Sequence, residues 1–179
     1  GRLEAINPSR VHAGDPNDPI ALEVFSLWFD HGTGPQDASY AYVILPGSSE
    51  PETAEFAARP PSAVVANDRE QQAVFDARLR TGAAAFYSPG AVDLEPGLTV
   101  AVDQPCLLLY RELPDGAVRL AVANPENAGL TVNVALTRRL EGEACQWDAA
   151  RGRTDVAFLL PGSPADAGRS VIRDFKARE

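Results

Sequence analysis

Lysine is nearly missing from this 179-residue chain: Lys176 stands alone, and arginine carries the rest of the positive charge. With Ala, Arg, Pro and Asp abundant, this reads as a genomic composition bias. Cationic charge is also short overall, with 16 Lys and Arg against 25 Asp and Glu, a net charge of −9 and a pI near 4.7. A surface that grips a polyanion needs a basic stripe, so nucleic acid is not expected as a partner, and only a small basic pocket remains open. No run of about 18 or more apolar residues occurs, so no membrane span is expected. The opening "GRLEAINPSR" has no apolar signal core, so any export signal is expected to be gone already or never to have existed.

Chemical motifs are equally scarce. No G-x-S-x-G, phosphate-binding loop or Cys-x-x-Cys is present. The two histidines, His12 and His31, have no carboxylates at ligand-like spacing. "DPNDP" at 15–19 resembles a piece of a calcium loop, but an acidic turn explains it better. Asn7-Pro8-Ser9 is no glycosylation acceptor, because proline blocks it. Cys106 and Cys145 permit one disulfide, which would suit an oxidising compartment, or two buried thiols; the two readings stand level.

What the chain does have is the composition of a folded protein, 45% hydrophobic and 23% charged, with 15 prolines that leave little room for long helices. Its length suits one domain or two small ones. Short runs alternate between turn signals. In "ALEVFSLWFD", Phe25, Leu27 and Phe29 face one way and Val24, Ser26 and Trp28 the other. In "SYAYVILP", Tyr40, Tyr42 and Ile44 oppose Ala41, Val43 and Leu45. Period two with aromatic and β-branched residues predicts strands. The same rhythm returns in "PSAVVAND", "AAAFYS", "LTVAVD", "PCLLLYREL", "AVRLAVANP", "LTVNVALTR", "DVAFLLPG" and "SVIRDF". "DREQQAVFDARLR" has helical propensity, but its alternation favours a strand. Asp115-Gly116 marks a hairpin, with Pro114 pointing to a slightly longer loop. One helix is expected over 50–60, "EPETAEFAARP", capped by Thr53 or an earlier residue and stopped by Pro60-Pro61. The whole predicts an all-β protein, an antiparallel β-sandwich. Residues 1 to about 50 hold too few strands to close a core alone.

The densest candidate for chemistry is 25–47, "FSLWFDHGTGPQDASYAYVILPG". Asp30 and His31 with Tyr40 and Tyr42 offer a base and an acid. Neighbours on a strand point to opposite faces, however, and His31-Gly32 reads as the start of a turn. The turn is the favoured reading. Trp28 and Trp147 are candidate sugar platforms, against the plainer reading of core or edge tryptophans. Arg151 and Arg153 form the compact basic patch of the chain, which a solvated turn explains as well.

"INPSR", the 25–47 stretch and "QQAVFDARL" with "AAFYSPG" together resemble the C-terminal third of polysaccharide lyase family 8, the hyaluronate, chondroitin AC and xanthan lyases. The pattern runs through Leu27, Trp28, Phe29, Asp30, His31, Gly32, Pro35, Tyr40, Tyr42, Leu45 and Pro46. "LTVAVDQPCLLLYRELPDGAVRLAVANPE" is similar to that family's C-terminal β domain in rhythm, and the last 40 residues match loosely. The resemblance implies the end of a supersandwich domain over 1–62 and a small C-terminal β-sandwich over 63–179. It implies a secreted, extracellular enzyme that cleaves a uronic-acid polysaccharide of hyaluronan or chondroitin type by β-elimination, without an organic cofactor. The family's catalytic Asn, His, Tyr and Arg belong to an N-terminal α/α toroid, whose motifs match nothing here. No catalytic, cofactor-binding or metal-binding residue is therefore assigned, and the substrate-binding residues stay unknown. The expected partners are the N-terminal catalytic portion, in cis or as a separate chain, and an acidic polysaccharide. This portion would be inactive alone, supporting the catalytic domain and walling its cleft. An autonomous carbohydrate-binding β-sandwich is the alternative.

Overall fold

The computed structural model describes residues 2–4, 21–23, 26–162, 165–166 and 168–178. It divides into two compact units, Gly1–Tyr40 and Ala41–Glu179. In the first, β1 (Arg2–Glu4) and β2 (Ala21–Glu23) pair antiparallel, with Leu3 opposite Leu22.

Of the expected strand "ALEVFSLWFD", Ala21–Glu23 form β2, whereas its described remainder, 26–30, and the run "SYAYVILP" form no strand; positions 24 and 25 lie outside the described residues. Leu27, Trp28 and Ile44 remain exposed at 67%, 76% and 72%. Alternation decides which side chains share a face once a segment is extended. A strand also needs a neighbouring strand to take its N–H and C=O groups, and among the described residues no strand pairs with 26–45.

The second unit begins with the helix. α1 (Glu50–Ala58) starts at Ser49, one position before its first residue. Ser49 and Glu52 form a reciprocal capping box: the Ser49 N–H donates to Glu52 Oε2 at 2.7 Å, and the Glu52 N–H points back at Ser49 Oγ at 3.5 Å. The predicted alternative cap, Thr53, sits inside the first turn and donates its hydroxyl to the Ser49 carbonyl at 2.9 Å. None of its residues is buried.

Twelve further strands follow: β3 (Ser62–Asn67), β4 (Gln71–Asp76), β5 (Thr81–Phe86), β6 (Gly90–Glu95), β7 (Leu98–Val102), β8 (Cys106–Glu112), β9 (Ala117–Ala123), β10 (Leu130–Leu136), β11 (Arg139–Glu141), β12 (Cys145–Asp148), β13 (Arg153–Leu160) and β14 (Val171–Arg178). "QQAVFD" is a strand, as its alternation required, and every run that carried the period-two pattern after residue 61 became one. The Asp115-Gly116 signal closes the β8–β9 hairpin over Leu113–Gly116. The Leu113 N–H donates to the Ala117 carbonyl at 2.8 Å, and Gly116 supplies the positive φ of 81°.

The strands build a sandwich of antiparallel sheets. One has seven strands in the order β11-β14-β9-β8-β5-β4-β3, the other five in the order β12-β13-β10-β7-β6. Alternate residues point inward from both. Phe75, Phe86, Leu108, Tyr110, Leu120 and Phe175 of the larger sheet meet Leu94, Val100, Val134, Leu136, Phe158 and Leu160 of the smaller in one buried core. Each such large side chain contributes roughly 1.5–3 kcal/mol by leaving water.

Two buried polar side chains are fully used. Thr154 accepts the Leu140 N–H at 3.0 Å and donates to the Arg138 carbonyl at 2.6 Å, which fixes the short β11. Asn124 donates to the Ala128 carbonyl at 2.8 Å and accepts the Glu126 N–H at 2.9 Å, shaping the β9–β10 loop. That loop meets the end of β13 at two glycines. A Cβ on Gly162 would lie 2.3 Å from the Gly129 nitrogen and 2.6 Å from its Cα. Backbone is the obstacle, so no rotamer can relieve it. Gly162→Ala is expected to cost about 3 kcal/mol or more as overpacking, read as a lower denaturant midpoint in urea unfolding; an unchanged midpoint would contradict this packing.

Candidate functional site

The residues proposed from sequence do not assemble into a reaction centre. The Asp30 carboxylate accepts the Gly32 N–H at 2.8 Å, and Gly32 has φ 73°. This is a turn held by its own aspartate. His31 is exposed, its ring 6.4 Å from that of Tyr40, while Tyr40 stacks on Phe29 at 5.0 Å with planes 23° apart. Tyr40 and Tyr42 are exposed at 59% and 60%. Asp30, His31, Tyr40 and Tyr42 are all exposed among the described residues, whereas acid–base work on a bound substrate requires water to be excluded.

Trp147, on β12, lies beneath the Arg139 guanidinium at 5.8 Å, so one ring face is already taken by a cation. Trp28 is open. Arg151 and Arg153 are met by acids: Asp148 at 3.6 Å and Asp155 at 3.1 Å. The turn between them is pinned by Asp148, whose Oδ1 accepts the N–H groups of Ala150 and Arg151 at 3.0 and 3.1 Å. The patch is a turn in which both cations lie beside acids. His12 and the 15–19 acidic turn lie outside the described residues. Among the described residues no group of three or more His, Cys, Asp or Glu is placed to hold a metal.

Both cysteines are free thiols. Cys106 is buried on β8, and burial first, then Asp103, pushes its thiol up to about 12. Cys145, on β12 of the other sheet, donates to the Leu140 carbonyl at 3.1 Å and is also raised by burial. Neither suits nucleophilic work, which needs a thiolate. Two thiols per chain are expected to react in denaturant without reductant, while Cys106 stays unreactive in the folded protein. A count of zero in denaturant would mean a disulfide.

The most strongly coupled charges lie where sequence reasoning did not look. Arg80 closes the β4–β5 turn in the left-handed region, φ 48°. Its guanidinium donates to Glu95 of β6 at 2.6 and 2.5 Å and to Glu112 of β8 at 3.1 and 2.9 Å. The Tyr110 hydroxyl donates to Glu112 at 2.9 Å and accepts from Arg138 at 2.9 Å; Arg138 also donates to Glu112 directly. Parity held the clue: in "CLLLYRE" the inward positions are Cys106, Leu108, Tyr110 and then Glu112. An acid at an inward position must find cations.

The cluster is saturated, and its chemistry is structural. The Arg80 hydrogen bond above all, helped by Tyr110 and Arg138, holds the Glu112 carboxyl down to about 2, against the opposing effect of burial. Since this lies below its ordinary 4.5, the ionised cluster stabilises the fold fully above pH 4.5, and that stability is lost as pH falls through about 2. Glu112→Gln is expected to cost about 2–3 kcal/mol at neutral pH. The gap between variant and parent in urea unfolding should close between about pH 4.5 and pH 2. A gap that stays constant over that range would sink this assignment.

The chain as a whole is similar to known proteins. The family model for the super-sandwich domain of polysaccharide lyase family 8 matches residues 1–57, and the model for that family's C-terminal beta-sandwich domain matches 63–133. A hyaluronate lyase of Thermasporomyces composti is 35% identical over 144 residues, which is 76% of this chain and 18% of that protein. A chondroitinase-AC of Pedobacter heparinus is 34% identical over 103 residues, 58% of this chain and 15% of that protein. The structure of a chondroitinase AC lyase, studied as oligosaccharide complexes, superposes with a TM-score of 0.69 at 28% identity, over 90% of this chain and 22% of that one. A xanthan lyase of Paenibacillus shares the fold at a TM-score of 0.68 and 20% identity. The chain thus spans less than a quarter of the length of each of these relatives.

Proposed function

The chain belongs to polysaccharide lyase family 8, and on that premise we propose that it is the C-terminal β portion of a secreted lyase that cleaves a uronic-acid polysaccharide of hyaluronan or chondroitin type. In this reading 1–62 complete a super-sandwich domain, 63–179 form the terminal sandwich, and catalysis belongs to a toroid domain upstream. The observation that carries it is the order of the matches: super-sandwich over 1–57, then terminal sandwich over 63–133, in a chain that spans 18% of the hyaluronate lyase.

The reaction is β-elimination. A base takes the proton α to the uronate carboxylate, the glycosidic C–O bond at the β carbon breaks, and a carbon–carbon double bond conjugated with the carboxylate remains. That chemistry needs a positioned base, an acid for the leaving oxygen and a partner for the carboxylate charge. The closest-set charges of the sandwich, Arg80, Arg138, Glu95 and Glu112, are instead engaged with one another. A polymer too large to cross a membrane is met outside the cell, which is the reason for placing the enzyme there.

The purified 179-residue chain, incubated with hyaluronan and with chondroitin, is expected to release no unsaturated product in the ultraviolet, whereas the polypeptide with its upstream domain is expected to do so. Turnover by the 179 residues alone would overturn the structural role. The exposure of Trp28, 76%, favours a second reading as an autonomous carbohydrate-binding sandwich. Calorimetric titration with the same polymers separates the two: saturable heat abolished by Trp28→Ala would favour the binding module.

A further inference from the structure

The chain is acidic overall, yet one corner of the seven-stranded sheet collects cations. On its outer face the neighbouring strands β11, β14, β9 and β8 carry charged rows side by side. Arg111 lies opposite Arg119, and Arg119 opposite Asp174. In the next row Lys176, the single lysine of the chain, lies opposite Glu141. Beyond it Arg178 lies opposite Arg139. Strand spacing makes this corner about 14 Å across. Its cations outnumber the acids set among them, Asp174 and Glu141.

Those two acids are already taken. Asp174 holds Arg119 at 2.7 Å, and Glu141 holds Arg178 at 2.8 Å. The Glu141 carboxyl is held below its ordinary value by Arg178 first, and Arg139 and Lys176 add to it, so three cations share one carboxylate. Arg139 lies over the Trp147 ring, which orients its charge without neutralising it. Arg111 and Lys176 enter no ion pair with another described residue, and both are exposed. Acids also border the corner, Asp115 in the β8–β9 turn and Asp76 on β4. Their carboxylates accept backbone N–H groups, from Ala117 at 3.0 Å and from Leu79 at 2.8 Å. Like charges directly opposite on neighbouring strands are destabilising, as Arg111 and Arg119 are. Stability alone would favour a neutral or acidic residue at 111. A local conflict of this kind is characteristic of a functional surface, and an anion from outside resolves it.

The chemistry of that anion follows from the shape. The corner is a flat sheet face, so an extended ligand suits it better than a small enclosed one. Guanidinium groups take carboxylates and sulfates in a two-pronged grip. Nucleic acid, with a phosphate every few ångströms, would meet the acidic remainder of the chain as well. A polysaccharide with more widely spaced anions needs only the few cations present.

We propose that this corner, with Arg111, Arg139 and Lys176 as its uncommitted cations, is a weak contact for an acidic polysaccharide, made through the polymer's carboxylates or sulfates. The identity of the polymer rests on the reading of the chain as part of a lyase. So small a surplus of charge attracts and releases; it does not trap. Titration of the 179-residue chain with hyaluronan, unsulfated chondroitin and chondroitin sulfate tests it, at about 20 mM and about 150 mM salt. Binding is expected at the lower salt and should fall sharply at the higher. The double variant Arg111→Gln, Lys176→Gln is expected to bind several-fold more weakly. Its melting temperature should not fall, since no ion pair is lost and a like-charge contact is relieved. Arg151→Gln with Arg169→Gln removes as much charge elsewhere on the surface and should bind as the parent does. A loss with all three polymers assigns the carboxylate, and a loss with the sulfated one alone assigns the sulfate. Absence of binding at low salt, or equal binding by parent and double variant, would overturn the contact. So would polyglutamate bound as tightly as the polysaccharides, or binding lost in Trp28→Ala and kept in the double variant. The lyase reading is decided separately, by the ultraviolet assay of the polypeptide with its upstream domain.

Discussion

The guanidinium of Arg80 binds one carboxylate from each sheet, Glu95 from the smaller and Glu112 from the larger. Apolar packing pulls the two sheets together but is non-directional; it would tolerate one sheet sliding over the other. The Arg80 fork is directional, since planar N–H groups must face planar carboxylates. It sits where the inward apolar rows end, so it fixes how far the β4–β5 turn overlaps the β6–β7 hairpin. Tyr110 joins both systems: its ring belongs to the core and its hydroxyl to the cluster. A half-buried ion cluster adds little net stability over an apolar substitute, but losing one member leaves the others desolvated and unpaired. Registration is therefore the better account of why charge sits there. The left-handed backbone of Arg80 costs about 1–2 kcal/mol in a residue with a Cβ, and four hydrogen bonds to carboxylates offset it.

That constraint also explains what could be read in advance. From residue 62 on, alternation identified strands because both sheets bury one face in a shared core. "GAVDLE", "RLE" and "CQWD" escaped notice because they are short and lack a β-branched run. Their strand character comes from partners: Gly90 to Val102, Leu140 to Ala177, Trp147 to Thr154. The opposite failure occurred at 26–45, where the pattern is clear and no strand forms. Pattern is local and pairing is not. The candidate site followed the same division. The Asp30–Gly32 turn was legible because its hydrogen bond spans two residues. The Arg80 cluster was not, because Glu95 and Glu112 lie 15 and 32 residues away from Arg80.

Charge placement bears on what the molecule does with a polyanion. Five arginines of the sandwich are paired with neighbouring acids: Arg80, Arg119, Arg138, Arg153 and Arg178 each lie within 3.1 Å of a carboxylate. An arginine already paired releases little when a uronate approaches, since one carboxylate only replaces another. The net charge of −9 adds a long-range repulsion. In a lyase the polymer must be drawn to the catalytic cleft and not trapped elsewhere along its length. In this sandwich, the strongest cationic groups, Arg80 and Arg138, are held by Glu95 and Glu112 at the edge of the core, so their role is to register the sheets.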